Sequence, residues 1–388
     1  MFGGSIGEMN GFMDEDLLNV ATRIIRQANL SKVPADDELR RWFRANREMA
    51  RRHSSEISRI VFTFYRWSQF ANPKDSLPAK VRFANMRAAA FEKDPGSFSL
   101  RALNLAVPKW LGREMELEYE WLAAIQREPS LWIRARKGLA AEVREAVRIR
   151  AEEECGYPEA MVYRGPEDLF RHQAFKDGKF EIQDVASQLV GHICNPQPKE
   201  TWWDACCGEG GKTLHLSDLM GNKGLIWATD RSRRRLGLLK KRAAKAKAFN
   251  LRQRQWDGGE KAPMKTLFDG VLVDAPCSGI GTWQRNPHAR WTTTAKDVEE
   301  LAEVQGRLLA NVARNVKRGG RLIYSVCTLT RKETEEVVSA FAKRFPEFEP
   351  LELSFSGMKE EAAPSLSILP QVYGGSGMFV AGWRRGEG

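Results

Sequence analysis

The fold of this chain turns on the stretch Phe268–Gly279, which reads Phe-Asp-Gly-Val-Leu-Val and then Asp-Ala-Pro-Cys-Ser-Gly. Its first half, Phe268–Val273, has the apolar character of a short, fully buried strand. Its second half, Asp274–Gly279, sets an acid, a proline and a cysteine at the carboxyl end of that strand, where open α/β sheets bind their ligands. A second strand reads at Arg321–Tyr324 and runs on through Tyr-Ser-Val-Cys-Thr to another cysteine, Cys327. If the two strands are neighbours, two thiols meet over one crevice.

Outward from this stretch, strand and helix patterns alternate from Thr201 to the end. Strands are expected at Thr201–Ala205, Gly224–Thr229, Arg252–Trp256, Phe268–Val273 and Arg321–Tyr324, with a last pair near Ile368–Val372 and Met378–Trp383. Such alternation predicts an α/β, Rossmann-like domain over 198–388, with a mostly parallel seven-stranded sheet covered on both faces. Residues 128–197 read as a small α/β linker domain. It has strands around Leu131–Arg134 and Ala160–Tyr163, helices at Ala140–Glu154 and Val185–Ile193, and a turn at Asp177-Gly178. Cys155 and Cys194 lack partners there and read as structural. Residues 1–127 read as all-helical. Leu17, Val20, Ala21, Ile24 and Ala28 share one face, Leu39, Trp42 and Phe43 a second, and Ile57, Ile60, Val61, Phe64 and Tyr65 a third opened by Ser54 or Ser55. Further helices are expected near Ala79–Phe91 and Glu114–Gln126. The aromatic residues of this block read as core, and the block as a binding or positioning module.

With 388 residues, 42% hydrophobic and 29% charged, the chain has the composition of a soluble globular protein of two or three domains. It has no apolar run near the roughly 20 residues of a spanning helix, and Met1–Gly11 lacks an export pattern. Six cysteines without paired spacing argue against a disulfide framework and for a reducing cytoplasm. The five histidines have no metal-ligand spacing, so no metal is expected; His288 reads as a loop residue near substrate. A net charge of +11 favours an anionic partner. From Arg231 to Arg254 there are eleven Lys/Arg and no acid, either a solvated helix face or a surface that follows phosphates.

Between a strand and a helix, Asp204–Thr213 reads Asp-Ala-Cys-Cys-Gly-Glu-Gly-Gly-Lys-Thr. Its glycines let backbone approach a ligand, and the helix behind them presents unpaired N–H groups. A P-loop would need glycine where Cys206 stands, and a dinucleotide loop needs Gly-x-Gly-x-x-Gly. An S-adenosylmethionine loop fits the spacing better. Asp230 closes the next strand, placed for two ribose hydroxyls. Asp257 closes the third, placed for an adenine amino group. Successive acids suit a neutral adenosine and a sulfonium, and would repel a triphosphate.

The loop, Asp230, Asp257, Asp-Ala-Pro-Cys-Ser-Gly and Tyr-Ser-Val-Cys-Thr, in this order, resemble the RsmB/Sun family of S-adenosylmethionine-dependent RNA cytosine-5 methyltransferases. Gly281–Trp291 and Gln183–Val190 look like further segments of that family. The resemblance covers about residues 128–385, and the helices before it sit where bacterial members carry a NusB-like RNA-binding domain. It implies that Cys206, Cys207, Gly208, Glu209, Gly210, Gly211 and Lys212 cradle the methionine part of the cofactor. It implies that Asp230 holds the ribose, Asp257 meets the adenine, and Asp274 lies between cofactor and cytosine. Cys327 matches the family nucleophile and Cys277 its second cysteine. Members usually carry Cys-Ala-Ala-Pro-Gly-Gly-Lys, so Cys207, Gly208 and Glu209 depart from the pattern. Val326 and Thr328 replace the usual threonine and serine around the nucleophile, and Gly-Met-Phe near the end replaces Gly-Phe-Phe.

Two thiols suit one reaction. Carbon 5 of cytosine becomes nucleophilic once a thiolate adds at carbon 6, and the adduct is released after the carbon-5 proton leaves. Cys327 takes the first role, and Cys277, or a water it orients, the second. Asp274 binds the amino and ring-nitrogen edge of the base. A duplex base is out of reach, so the target is single-stranded or flipped. Ribosomal RNA is the expected partner, with tRNA second, and a monomer is expected. A non-catalytic RNA-binding assembly factor on the same fold is the alternative from another class, and a P-loop nucleotidase a third. An exocyclic-amine methyltransferase typically has Asp/Asn-Pro-Pro-Tyr/Phe where this chain has Asp-Ala-Pro-Cys, which favours attack through carbon.

Overall fold

The structure, a computed structural model, describes residues 14–149 and 156–387. The export reading of Met1–Gly11, positions 150–154 of the expected helix Ala140–Glu154, and Cys155 lie outside the described residues; the helix itself ends at Ala146, and Arg148 just beyond it takes the left-handed φ of 55°. The chain divides into two compact units. One comprises 1–109, 117–127 and 283–292; the other comprises 110–116, 128–282 and 293–388.

The first unit is helical over its described residues, with long helices Glu15–Ser31, Ala35–Ala45, Arg47–Trp67 and Leu77–Lys93. The expected apolar faces are largely buried: Leu17, Ala21, Ile24, Ala28, Leu39, Ile57, Ile60, Val61, Phe64 and Tyr65 all lie inside. The third helix begins well before Ser54, at Arg47, because nothing between Arg47 and Ser54 breaks a helix. Trp67, Phe91 and Phe98 pack with ring centroids 5.2–5.5 Å apart. These rings are core, as expected. Residues 283–292 complete the unit: the buried Arg290 guanidinium donates to Gln126 Oε1 at 2.5 Å and to the Ile125 carbonyl. His288 is buried here too, its Nδ1 accepting from Ala35 N at 3.2 Å.

The second unit holds two sheets. Strands β1 (Leu131–Ala135), β2 (Ala160–Tyr163) and β3 (Phe180–Ile182) form a small antiparallel sheet in the order β2-β1-β3. The main sheet uses β4 (Thr201–Asp204), β5 (Leu225–Asp230), β6 (Leu251–Gln255), β7 (Phe268–Asp274), β8 (Val316–Val326), β9 (Phe348–Pro350), β10 (Ser365–Ile368) and β11 (Met378–Arg385). Its order is β10-β11-β8-β7-β4-β5-β6, with β9 added beside β11, eight strands among the described residues. The expected seven are joined by that three-residue edge. Strands β6, β5, β4, β7 and β8 are parallel, whereas β11 runs antiparallel to β8 and β10 to β11. The expected strand Ile368–Val372 ends at Ile368. Pro370 has no N–H for a ladder and instead opens the short helix Pro370–Tyr373.

Alternation along the strands makes two cores. Trp202, Leu272, Ile323 and Val380 face one way, towards the helix Val185–Cys194; Trp132, Ala160 and Val162 of the small sheet join them. Trp203, Val271, Val273, Tyr324 and Phe379 face the other way, towards the helix Ala295–Ala313. That helix opens with a capping box between Thr294 and Asp297. Each fully buried side chain the size of leucine contributes roughly 2 kcal/mol. Gly270 has its own reason: a Cβ there would come within 2.3 Å of the Trp202 indole, which lies across the strand. Reversal of strand order on either side of β4 opens a crevice at the carboxyl ends of β4, β5 and β7.

Candidate active site

Strands β7 and β8 pair in parallel with Asp274 opposite Ser325. The chain then continues three residues to Cys277 and two to Cys327, and their sulfurs lie 3.2 Å apart. A disulfide would need about 2.05 Å, so the two cysteines are not bonded to each other. The contact with Cys327, together with burial, holds the Cys277 thiol well above its ordinary range. The contact therefore favours the protonated form of Cys277.

Asp274 stands beside them. Its Oδ2 accepts from Lys212 Nζ at 2.8 Å and its Oδ1 from Ser325 Oγ at 2.8 Å. Lys212 is buried, which works against its charge, but Asp274 and then Cys327 more than offset this and raise it. Coulombic coupling is reciprocal, so the same ammonium favours a thiolate at Cys327. The Lys212 helix begins at Gly211, directly after the glycine loop.

The loop itself is sharply bent. Gly208 has φ of 56° and Gly210 of 88°, the left-handed region that glycine enters without cost. A side chain at Gly210 would strike Leu239 at 2.2 Å, whereas Gly208 faces open space. The buried Asp230 accepts from Gly208 N at 3.1 Å and from Ser232 N at 2.7 Å, so the acid ties the glycine loop to the end of β5. Asp257 lies two residues beyond β6, exposed, accepting from Gly259 N at 2.9 Å. Glu209 points outward, 3.7 Å from Arg234. Burial pushes the thiols of Cys206 and Cys207 up, which suits packing rather than redox chemistry.

Several contributors escaped the sequence reading. Asp204 at the end of β4 is fully buried; burial raises it to about 7, although Thr213 Oγ1 donates to Oδ2 at 2.6 Å. Its Oδ1 is buried without a partner. Glu333 is wholly buried and gathers both cysteine loops. It accepts from Ser278 N at 2.9 Å, Ser278 Oγ, Thr328 Oγ1 at 3.2 Å, Thr330 Oγ1 at 2.9 Å and Gln305 Nε2 at 2.9 Å. In sequence it sits in Arg-Lys-Glu-Thr-Glu-Glu, which reads as a solvated charged run. Gly281 adds a second brace: its N donates to Cys327 O at 3.0 Å and its O accepts from Gly377 N at 2.7 Å. Of the further segments, Gln183 accepts from Arg134 Nε at 2.7 Å, and Asp184 accepts from Ser376 N at 3.0 Å.

A bent glycine loop open at Gly208, an orphaned buried carboxylate oxygen at Asp204 and acids at the next strand ends fit a nucleoside cofactor. The fold and this site define the class, a Rossmann-like methyltransferase. The model described as "16S rRNA methyltransferase RsmB/F" matches residues 192–384. That match supports the RsmB/Sun methyltransferase family for these residues. It is 36% identical over 219 residues to a probable ribosomal RNA small subunit methyltransferase B of Bacillus subtilis, covering 54% of this chain and 49% of the relative. To the ribosomal RNA small subunit methyltransferase B of Citrobacter koseri it is 27% identical, over 71% of this chain and 65% of the relative. The chain thus spans about half the length of the first of these relatives and about two thirds of the second. Among solved structures, a methyltransferase homolog protein from Pyrococcus horikoshii is 25% identical with TM-score 0.60, covering 69% of this chain and 90% of its own. NSun6 from the same organism, solved with the S-adenosylmethionine analogue SFG, shares the fold at 20% identity and TM-score 0.60, over 69% and 93% of the two chains.

Among the described residues, no group of three or more His, Cys, Asp or Glu is placed to hold a metal ion. No helix there is long and apolar enough to cross a membrane.

Proposed function

We propose that this protein is an RNA cytosine-5 methyltransferase acting on ribosomal RNA through a temporary bond to Cys327. The observation that carries this reading is the 3.2 Å approach of two sulfurs beside the Asp274–Lys212 pair. Ribosomal RNA is favoured by the names of the curated relatives. S-adenosylmethionine, held by the loop Cys206–Lys212 with Asp230 and Asp257, supplies an electrophilic methyl group on a sulfonium.

Cys327, as a thiolate favoured by Lys212, adds to carbon 6 of the cytosine, and the ring electrons make carbon 5 nucleophilic. Asp274 receives the amino and ring-nitrogen edge of the base. After transfer, carbon 5 must lose its proton so that the carbon–sulfur bond can break. Cys277, or a water it orients, takes that proton. Its S–H then stabilises the departing Cys327 thiolate across the same 3.2 Å contact.

The test is a denaturing gel with labelled RNA and cofactor. Cys327→Ala gives no transfer and no adduct while binding S-adenosylmethionine normally, and Cys277→Ser accumulates a protein–RNA band. Full transfer by Cys327→Ala would overturn the mechanism, and no retarded band with Cys277→Ser would remove Cys277 from release.

A further inference from the structure

A cleft of about 730 Å³ opens in the second unit, between the small sheet and the carboxyl ends of the helices Gly211–Leu219 and Arg233–Lys245. Six cations line it: Arg136, Lys137, Lys176, Lys179, Lys245 and Lys247. Its three carboxylates are already engaged. Asp218 pairs with Arg134 and, at 2.6 Å, with Arg136; Glu142 pairs with Lys179 at 2.7 Å; Asp177 accepts from Gln173 at 2.7 Å. Lys137, Lys176, Lys245 and Lys247 have no carboxylate within ion-pair distance among the described residues. The buried Nη1 of Arg136 has no hydrogen-bond partner.

The cleft is built rather than incidental. Gly178 lets the turn before β3 approach the end of the Arg233–Lys245 helix, since a Cβ there would lie 2.3 Å from the Lys245 carbonyl. Lys245 lies over the Phe175 ring at 3.4 Å, fixing its ammonium at the wall. Burial lowers both Lys245 and Arg136, so their charges are held at a cost that a bound anion would offset. Lysines at helix ends commonly complement the macrodipole. That accounts for Lys245 and Lys247, and for Lys176 at the end of the short helix Gln173–Lys176, but not for Arg136 and Lys137, which converge on them from the end of β1.

We propose that this cleft holds phosphates of the RNA backbone at a distance from the reacting base, and so positions the substrate. The inference rests on the proposed RNA methyltransferase reading. The helix that starts at the glycine loop ends at the cleft, nine residues and about 13 Å away. A strand of RNA held there would be anchored well outside the crevice where its base reacts.

The test uses the full chain carrying Lys137→Gln, Lys176→Gln and Lys247→Gln together. These residues are exposed, and glutamine leaves the backbone requirement at Lys247 unchanged. Binding to a 16S ribosomal RNA transcript is measured across a salt series. Each lost phosphate contact removes about 0.7–0.9 from the slope of log K against log salt, so the slope should fall by about 2. Affinity should fall at least tenfold at low salt, with the melting temperature and S-adenosylmethionine binding unchanged. Wild-type slope and affinity in the variant, beside a wild-type chain that binds and methylates RNA, would sink this inference alone. A wild-type chain that neither binds nor methylates RNA would sink the functional reading with it. If inorganic phosphate stabilises the wild type but not the variant, while RNA affinity is unaltered, the cleft is a small-anion site and the RNA proposal fails.

Discussion

Glu333 offers the sharpest test of how the two thiols are held. Its carboxylate accepts five hydrogen bonds in a fully buried position, two from N–H groups on Oε1 and three from hydroxyls on Oε2. Glu333→Gln keeps the shape. Hydroxyls at Ser278, Thr328 and Thr330 can rotate to accept from the new amide, so mainly the charge is lost, about 1–2 kcal/mol. Glu333→Ala strands the donors and should cost about 3–5 kcal/mol. In thermal unfolding these correspond to falls of roughly 2–8 °C and roughly 6–20 °C for a unit of this size. Both cysteine loops would loosen in the alanine variant, and a misplacement of about 1 Å can cost about 100-fold in rate. Single-turnover methyl transfer at saturating cofactor should therefore drop steeply in Glu333→Ala, with cofactor affinity retained because the glycine loop does not touch Glu333. A pH profile separates positioning from plain stability. Glu333 helps to keep Cys277 protonated by its charge, so Glu333→Gln should move the alkaline limb to lower pH. A single-turnover rate within twofold of wild type in Glu333→Ala, with an unmoved pH profile, would refute the reasoning.

Three further outcomes are expected. Lys212→Met should slow alkylation of Cys327 by iodoacetamide at pH 7 several-fold, because the ammonium that favours its thiolate is gone; an unchanged rate would remove Lys212 from activation. Gly210→Ala should lose at least 1–2 kcal/mol in urea unfolding and most cofactor binding, since a side chain at φ 88° also strikes Leu239; wild-type stability would contradict the loop geometry. Asp204, raised to about 7 by burial, holds its proton better folded than unfolded. Its contribution makes stability fall as pH rises from about 4 to about 7 and then level off. Asp204→Asn should be more stable than wild type at pH 8 relative to pH 5, and an equal difference at both would discount the shift.

The parallel sheet was legible because its strands announce themselves: Phe268–Val273 is apolar without interruption, and each strand end carries an acid or a cysteine. Cys277, Cys327 and Asp274 follow from that register, since a ladder placing Asp274 opposite Ser325 leaves little freedom two and three residues later. What stayed hidden depended on long-range burial. Glu333 looks like surface charge until the hydroxyls of three separate residues are folded around it. Asp204 looks like a loop acid until Trp203 and Thr213 close over its strand. Pro370 carried a local signal that was overridden by the apolar pattern of Ile368–Val372. His288 lacked any local cue that its ring would pack against Tyr65, 4.5 Å away, inside a helical core.

The chain leaves the sheet-bearing unit after Thr282, spends ten residues inside the helical one, and returns at Thr293. Earlier, 110–116 makes the opposite excursion, where the Glu114 carbonyl accepts from Arg331 N at 2.9 Å, four residues past Cys327. Neither unit can then be excised by a single cut. An engineer who clips near residue 127 to obtain a minimal catalyst would strip Trp283 and Arg290 of their surroundings only a few residues downstream of Cys277, and would unbuckle the segment just beyond Cys327. The two halves of this molecule are inherited as one piece.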